Sequence, residues 1–181
     1  MKNIVLITAK PRTGKSTCIK KIINIIGKEN CTGFYTEEIL DPKSYERTGF
    51  KIHSLLDNKT CILSSIESTS KLRISRYGVE IDNFENLVLP VLKGAMNSNK
   101  IIIIDEIGPM QMYSDKFKSL LLQLEESNKK IIGTIFYDSF SFIDDFKNKP
   151  NVQIVELTLQ NRDNIASIIA NKFMGETNND R

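Results

Sequence analysis

Residues 4–17 read Ile4-Val5-Leu6-Ile7-Thr8-Ala9-Lys10-Pro11-Arg12-Thr13-Gly14-Lys15-Ser16-Thr17. An apolar run stops at a polar, glycine-containing loop, and a segment with helical spacing follows. Gly14-Lys15-Ser16 supplies the second half of the phosphate-loop pattern G-x-x-x-x-G-K-[ST], with Ala9 where the first glycine is expected. A loop joining strand to helix turns successive backbone N–H groups into one concavity. The helix N-terminus adds positive partial charge, so a polyphosphate satisfies both. Lys15 would reach the β- and γ-phosphates and the Ser16 hydroxyl a Mg²⁺ ion, with residues Ala9, Lys10, Pro11, Arg12, Thr13, Gly14 and Thr17 completing the cradle. Gly14 must be free of a side chain or take a backbone angle that a side chain resists. At position 9 the requirement is smallness, which alanine meets while φ stays negative.

Outward from this loop, apolar runs alternate with amphipathic stretches, the pattern of an α/β fold with a mostly parallel sheet flanked by helices. Strands are predicted at residues 3–8, 33–40, 101–105, 131–136 and 152–158. Helices are predicted at 15–26, ending at Gly27; at 84–96, capped by Asn83 and kinked or shortened by Pro90; after Ser114; and after Asn161. Residues 47–66 read as a β-hairpin inserted into the main fold, turning at Asp57-Asn58-Lys59-Thr60. One domain over residues 1–174, followed by a polar tail at 175–181, is the expected organisation.

A second cluster is Ile101-Ile102-Ile103-Ile104-Asp105-Glu106-Ile107-Gly108. Four isoleucines in succession predict a strand buried on both faces in mid-sheet. Asp105 then emerges at its carboxyl end, where α/β sheets place ligands and where a carboxylate can hold the Mg²⁺ bound by Ser16. Glu106 is the candidate base for an attacking water.

Composition narrows the classes. A net charge of +3 argues for neither nucleic acid nor membrane on its own, and no stretch approaches ~20 apolar residues. Three widely spaced cysteines give neither a zinc pattern nor a disulfide framework, so a reducing, cytoplasmic setting is expected. One histidine, His53, removes Ser/His/Asp triads and histidine-rich metal sites. A monomer is expected.

The chain resembles the small P-loop nucleoside-triphosphatases of the THEP type, the family that includes the cancer-related nucleoside-triphosphatase. The resemblance runs through Ala9 to Thr17, Gly33-Phe34-Tyr35-Thr36-Glu37-Glu38, Arg47-x-Gly49-Phe50, Tyr77 to Glu85, Asp105-Glu106-Ile107-Gly108-x-Met110 and Asn161-Arg162-Asp163. It implies a Mg²⁺-dependent enzyme that hydrolyses ATP, GTP, CTP and UTP with little preference for the base. Two departures stand out: Ala9 replaces glycine, and Pro109 stands where the family commonly has lysine.

The residues speak to base range as well. Asn148-Lys149-Pro150-Asn151 lacks the aspartate of the guanine-reading N-K-x-D loop, so strict GTP specificity is not expected. If the strand ending near Thr158 lies beside the first strand, Gln160, Asn161 and Arg162 come near the base or ribose; the plain alternative is an N-cap and a solvated arginine. An arginine could neutralise charge on the transferring phosphoryl group, with Arg12, Arg47, Arg73 and Arg76 as candidates. Thr36 or Glu37 could position water. No arginine is fixed by motif near the γ-phosphate, so turnover at about 10⁻² s⁻¹ or below is expected. Two other classes share the loop. A nucleotide or small-molecule kinase needs an Arg-rich lid, of which the sequence gives no sign, and a nucleotide-gated RNA- or protein-binding module finds little support in the charge balance.

Overall fold

The computed structural model describes residues 2–175. Nine strands and five helices follow in the order β1 (Ile4–Thr8), α1 (Lys15–Ile26), β2 (Cys31–Leu40), β3 (Arg47–Ser54), β4 (Thr60–Ser65), β5 (Arg73–Ile74), β6 (Tyr77–Val79), α2 (Ile81–Ala95), β7 (Ile101–Ile107), α3 (Asp115–Glu126), β8 (Ile131–Ile135), α4 (Ser141–Lys147), β9 (Val152–Glu156) and α5 (Ile165–Gly175).

All nine strands hydrogen-bond into one sheet, ordered β5-β6-β4-β3-β2-β7-β8-β1-β9. The stretch from β2 to β9 is parallel, and the strands from β3 outward add on antiparallel. The predicted hairpin at 47–66 is β3 and β4, and it extends the sheet instead of standing apart. Strand β7, with its four isoleucines buried, sits in the interior between β2 and β8 as its composition requires.

Helices cover both faces. On one, α2, α3 and α4 bring Phe84, Leu92, Phe117, Leu121 and Phe146 against the sheet. On the other, α1 and α5 pack Ile19, Ile22, Ile169 and Phe173 against Val5, Ile7 and Ile103. Helix α1 spans the residues predicted for it, and Gly27 ends it with φ +91°.

Several predicted boundaries move. Helix α2 begins at Ile81 after Glu80, so Asn83 is inside the first turn, where its amide donates to the Ile62 carbonyl. Pro90 does not shorten α2. Its missing N–H removes one helical hydrogen bond, while Val88, Leu89, Val91 and Leu92 stay buried around it. Ser114 does cap α3, accepting from Phe117 N at 3.0 Å. Asn161 does not cap α5, which starts four residues later. Strand β7 continues through Glu106 to Ile107, two residues beyond its predicted end. Of the expected tail, Gly175 closes α5, and the remainder lies outside the described residues.

Candidate active site

The candidate phosphate loop occupies the turn between β1 and α1. Gly14 has φ +106°, the left-handed region that glycine enters without penalty, so the backbone reason for glycine holds there. A Cβ on Gly14 would meet nothing within 4 Å beyond its chain neighbours, so the backbone angle and not crowding within the protein calls for glycine here. Ala9 is buried and keeps a negative φ, as smallness at that position anticipates. Lys10, Pro11 and Arg12 are exposed, as are Ser16 and Thr17 in the first turn of α1.

Strand β8 separates β1 from β7, yet Glu106 of β7 reaches Lys15 at the end of the loop. Lys15 Nζ donates to Glu106 Oε2 at 2.7 Å, joining residues 91 positions apart, with both side chains mostly shielded. Asp105 is buried, 3% exposed. Its Oδ1 accepts from Thr134 Oγ1 of β8 at 2.6 Å and its Oδ2 from Thr36 N of β2 at 3.2 Å. Thr36 Oγ1 also donates to the Asp105 backbone carbonyl. Three neighbouring strands therefore hold one carboxylate still. Burial pushes the Asp105 carboxyl up to about 6, aided by the nearby Glu106 charge and opposed by the Thr134 and Thr36 hydrogen bonds and by Lys15.

The donor set can be tested for Mg²⁺. Two carboxylates face one ammonium here, and among the described residues no cation lies within ion-pair distance of Asp105. An exposed Ser16 hydroxyl and one immobilised carboxylate suit an ion that takes its remaining ligands from phosphate oxygens and water. Among the described residues no group of three or more His, Cys, Asp or Glu forms a self-sufficient metal cage, which fits the same division of labour.

The loop after β9 lies beside the phosphate loop because β9 pairs with β1, Thr8 opposite Glu156. Between residues 10–13 and 156–160 lies a cavity of about 450 Å³. Gln160 lines it. Asn161 instead braces its wall: its Oδ1 accepts from Thr158 N at 2.8 Å and its Nδ2 donates to the Glu156 carbonyl at 2.8 Å. Arg162 is exposed in the next turn. Residues 148–151 are at the opposite rim, where the Asn151 carbonyl accepts from Ile4 N at the start of β1.

The chain matches the family model described as NTPase over residues 4–170. It belongs to that nucleoside-triphosphatase family. The nucleoside-triphosphatase THEP1 of Aquifex aeolicus is 39% identical over 166 residues, covering 88% of this chain and 92% of that protein. The nucleoside-triphosphatase THEP1 of Thermotoga petrophila is 36% identical over 178 residues, covering 97% of each. The crystal structure of THEP1 from Aquifex aeolicus superposes with a TM-score of 0.81 at 36% identity over 92% of this chain and 96% of that one. The solution structure of a human cancer-related nucleoside triphosphatase gives 0.77 at 27% identity over 94% and 97%. This NTPase-family member is thus a hydrolase acting on nucleoside triphosphates, and no helix among its described residues is long and apolar enough to cross a membrane.

Other candidates from the sequence fall elsewhere in this family member. Arg47 bonds Tyr77 and Glu38, Arg73 bonds the Ser68 and Arg76 carbonyls, and Arg76 bonds the Arg47 carbonyl, all on the added strands beyond β2. Arg12, exposed at the loop tip with φ +63°, is the arginine nearest in sequence to Lys15. Glu37 is 2.9 Å from His53 Nε2. Sequence reasoning overlooked Thr134. A lone polar residue inside the run Ile131-Ile132-Gly133-Thr134-Ile135 was the available signal.

Proposed function

We propose that the chain is a Mg²⁺-dependent nucleoside triphosphatase with broad base range and slow turnover, releasing a diphosphate and inorganic phosphate. The observation that carries this reading is the contact between Lys15 of the phosphate loop and Glu106 beside the buried Asp105. A phosphate-binding ammonium and a candidate base meet there at one point.

The triphosphate lies along residues 9–17, with Lys15 on the β- and γ-phosphates. Mg²⁺, when bound, neutralises charge on those phosphates, and Ser16 and Asp105 are the residues that would hold it. Glu106 takes a proton from the attacking water. As the water oxygen bonds to the γ-phosphorus, the bond from that phosphorus to the β–γ bridging oxygen breaks and the diphosphate leaves with the electron pair. Thr36 and Thr134 keep Asp105 in place during this step.

The cavity beside the loop supports a broad base range. Leu159, 64% exposed, and Pro11 offer apolar surface on which any base can stack. Gln160 and Arg162 are the polar contacts proposed for base or ribose, with Asn161 shaping the turn that presents them.

The test is a phosphate-release panel with ATP, GTP, CTP, UTP and their diphosphates, with and without Mg²⁺. Release from all four triphosphates within about tenfold, a span of ~1.4 kcal/mol, and only with Mg²⁺, is the expected result. Hydrolysis confined to one base, or unaffected by Mg²⁺ removal, refutes the corresponding part.

A further inference from the structure

The turn that follows β7 carries a second polar side chain to the candidate base. Gln111 is 3% exposed, and no hydrogen bond joins its carboxamide to another described residue. Among the described residues the side-chain polar atoms sealed from solvent without a hydrogen-bond partner are Thr8 Oγ1, His53 Nε2 and Ser64 Oγ, so the Gln111 carboxamide, with no protein partner, still meets solvent and can hold a water. Its backbone, by contrast, is tied on both sides: Gln111 N donates to the Gly108 carbonyl at 3.1 Å, and the Gln111 carbonyl accepts from Ser114 N at 3.0 Å. The side chain therefore leaves a fixed base.

Gly108 shows where it goes. A Cβ placed on Gly108 would stand 2.6 Å from Glu106 Oε1 and 3.1 Å from Gln111 Oε1. The absent side chain at 108 is what lets the two side chains converge over one spot. Lys15 engages the other Glu106 oxygen, Oε2, so Oε1 is the oxygen left to receive a proton.

We propose that Gln111 is a positioning residue for hydrolysis, its carboxamide hydrogen-bonding the water that Glu106 deprotonates. This rests on the reading of Glu106 as the base. A water held by Glu106 Oε1 and by the Gln111 carboxamide has two of its four hydrogen-bonding directions fixed, which aims a lone pair at the γ-phosphorus. The proton passes to Glu106, and Gln111 gains and loses none.

The test compares Gln111→Met, close in volume and unable to hydrogen-bond, with the parent, Glu106→Gln and the double variant, using MgATP. Gln111→Met is expected to lower kcat roughly 10- to 100-fold, with KM and the Kd of a non-hydrolysable ATP analogue within about twofold and Tm not reduced. In the Glu106→Gln background the same change should cost less than about threefold, because the two groups act on one water. Parent-like kcat in Gln111→Met overturns the proposal, as does a full multiplicative loss in the double variant. Parent-like kcat in Glu106→Gln overturns the base reading instead, and with it the partner assigned to Gln111. If Gln111→Met melts well below the parent, Gln111→Ala carries the same readout. Loss of folding in both would mark a structural residue and also overturns the proposal.

Discussion

Lys15 Nζ and Glu106 Oε2 are 2.7 Å apart. An incoming phosphate competes with Glu106 for this ammonium, so binding a triphosphate would release the carboxylate toward water. Lys15→Ala removes both the cation proposed for the phosphates and the partner of Glu106. Hydrolysis is expected to fall by at least about 10²-fold. Ser16→Ala should do the same through Mg²⁺, and adding more Mg²⁺ should recover little. Both residues are in the first turn of α1, outside the hydrophobic core, so far-UV circular dichroism and Tm should match the parent. Near-parent turnover in either folded variant would refute the site assignment.

Glu106→Gln separates binding from chemistry. The amide keeps the shape and can still accept from Lys15, but it no longer takes a proton at neutral pH. Binding of Mg·ATP by titration should stay within a few-fold, while single-turnover hydrolysis drops by roughly 10² or more. If binding is lost while the fold is kept, Glu106 is a ligand and not a base.

What the sequence displayed and what it hid divide by range of interaction. Helix α1, with apolar residues at 19, 22, 23 and 26 and Gly27 after it, is a local pattern and was read to the residue. The run Ile101 to Ile104 announced an interior strand for the same reason. The hold on Asp105 was hidden, because Thr36 and Thr134 lie 69 and 29 residues away and meet it only when β2, β7 and β8 align. Asn161 misled for a related reason. A residue suited to capping a helix serves equally well to brace a turn, and only the start of α5 at Ile165 distinguishes the two. Strands β5 and β6 and helix α4 are too short to show a period.

Gly33→Ala tests the junction of β2 with β7. Gly33 has φ +103°, and an added Cβ would come within 2.0 Å of the Ile103 carbonyl oxygen. Neither the backbone angle nor the contact can relax without parting the strands that hold Thr36 and Asp105. A loss of at least about 3 kcal/mol is expected. For a chain of this size Tm should fall by roughly 6–12 °C or more. A Tm within 2 °C of the parent would show that the approach of these strands is looser than described.

The three thiols should be inert in the folded protein. Burial pushes Cys18, Cys31 and Cys61 each up to about 11. The thiolate is the nucleophile, and its fraction grows as pH rises toward the pKa, so at pH 8 these groups hold roughly 10²-fold less thiolate than a free cysteine. Alkylation by iodoacetamide, followed by mass spectrometry, should be slow at pH 8, faster at pH 9.5 and complete at either pH after denaturation. Rapid native labelling of any one thiol at pH 8 would show that its surroundings are more open.

Ala9→Gly restores the glycine usual at the first position of the phosphate loop, and it should not help. Ala9 keeps a negative φ, so alanine pays no backbone penalty that glycine would relieve. Its methyl is buried with Ile7, Cys18 and Leu157 in the cluster beneath the loop, where removal leaves a small void. Losing that methyl and gaining backbone freedom should cost about 1–2 kcal/mol, read as a lower denaturation midpoint. The kcat for ATP is expected within threefold of the parent, because the groups proposed to hold the phosphate, the loop backbone and Lys15, are left in place. A tenfold rise in kcat/KM would mean that the alanine methyl crowds the bound phosphates, and that smallness at this position is stricter than the geometry of Ala9 implies.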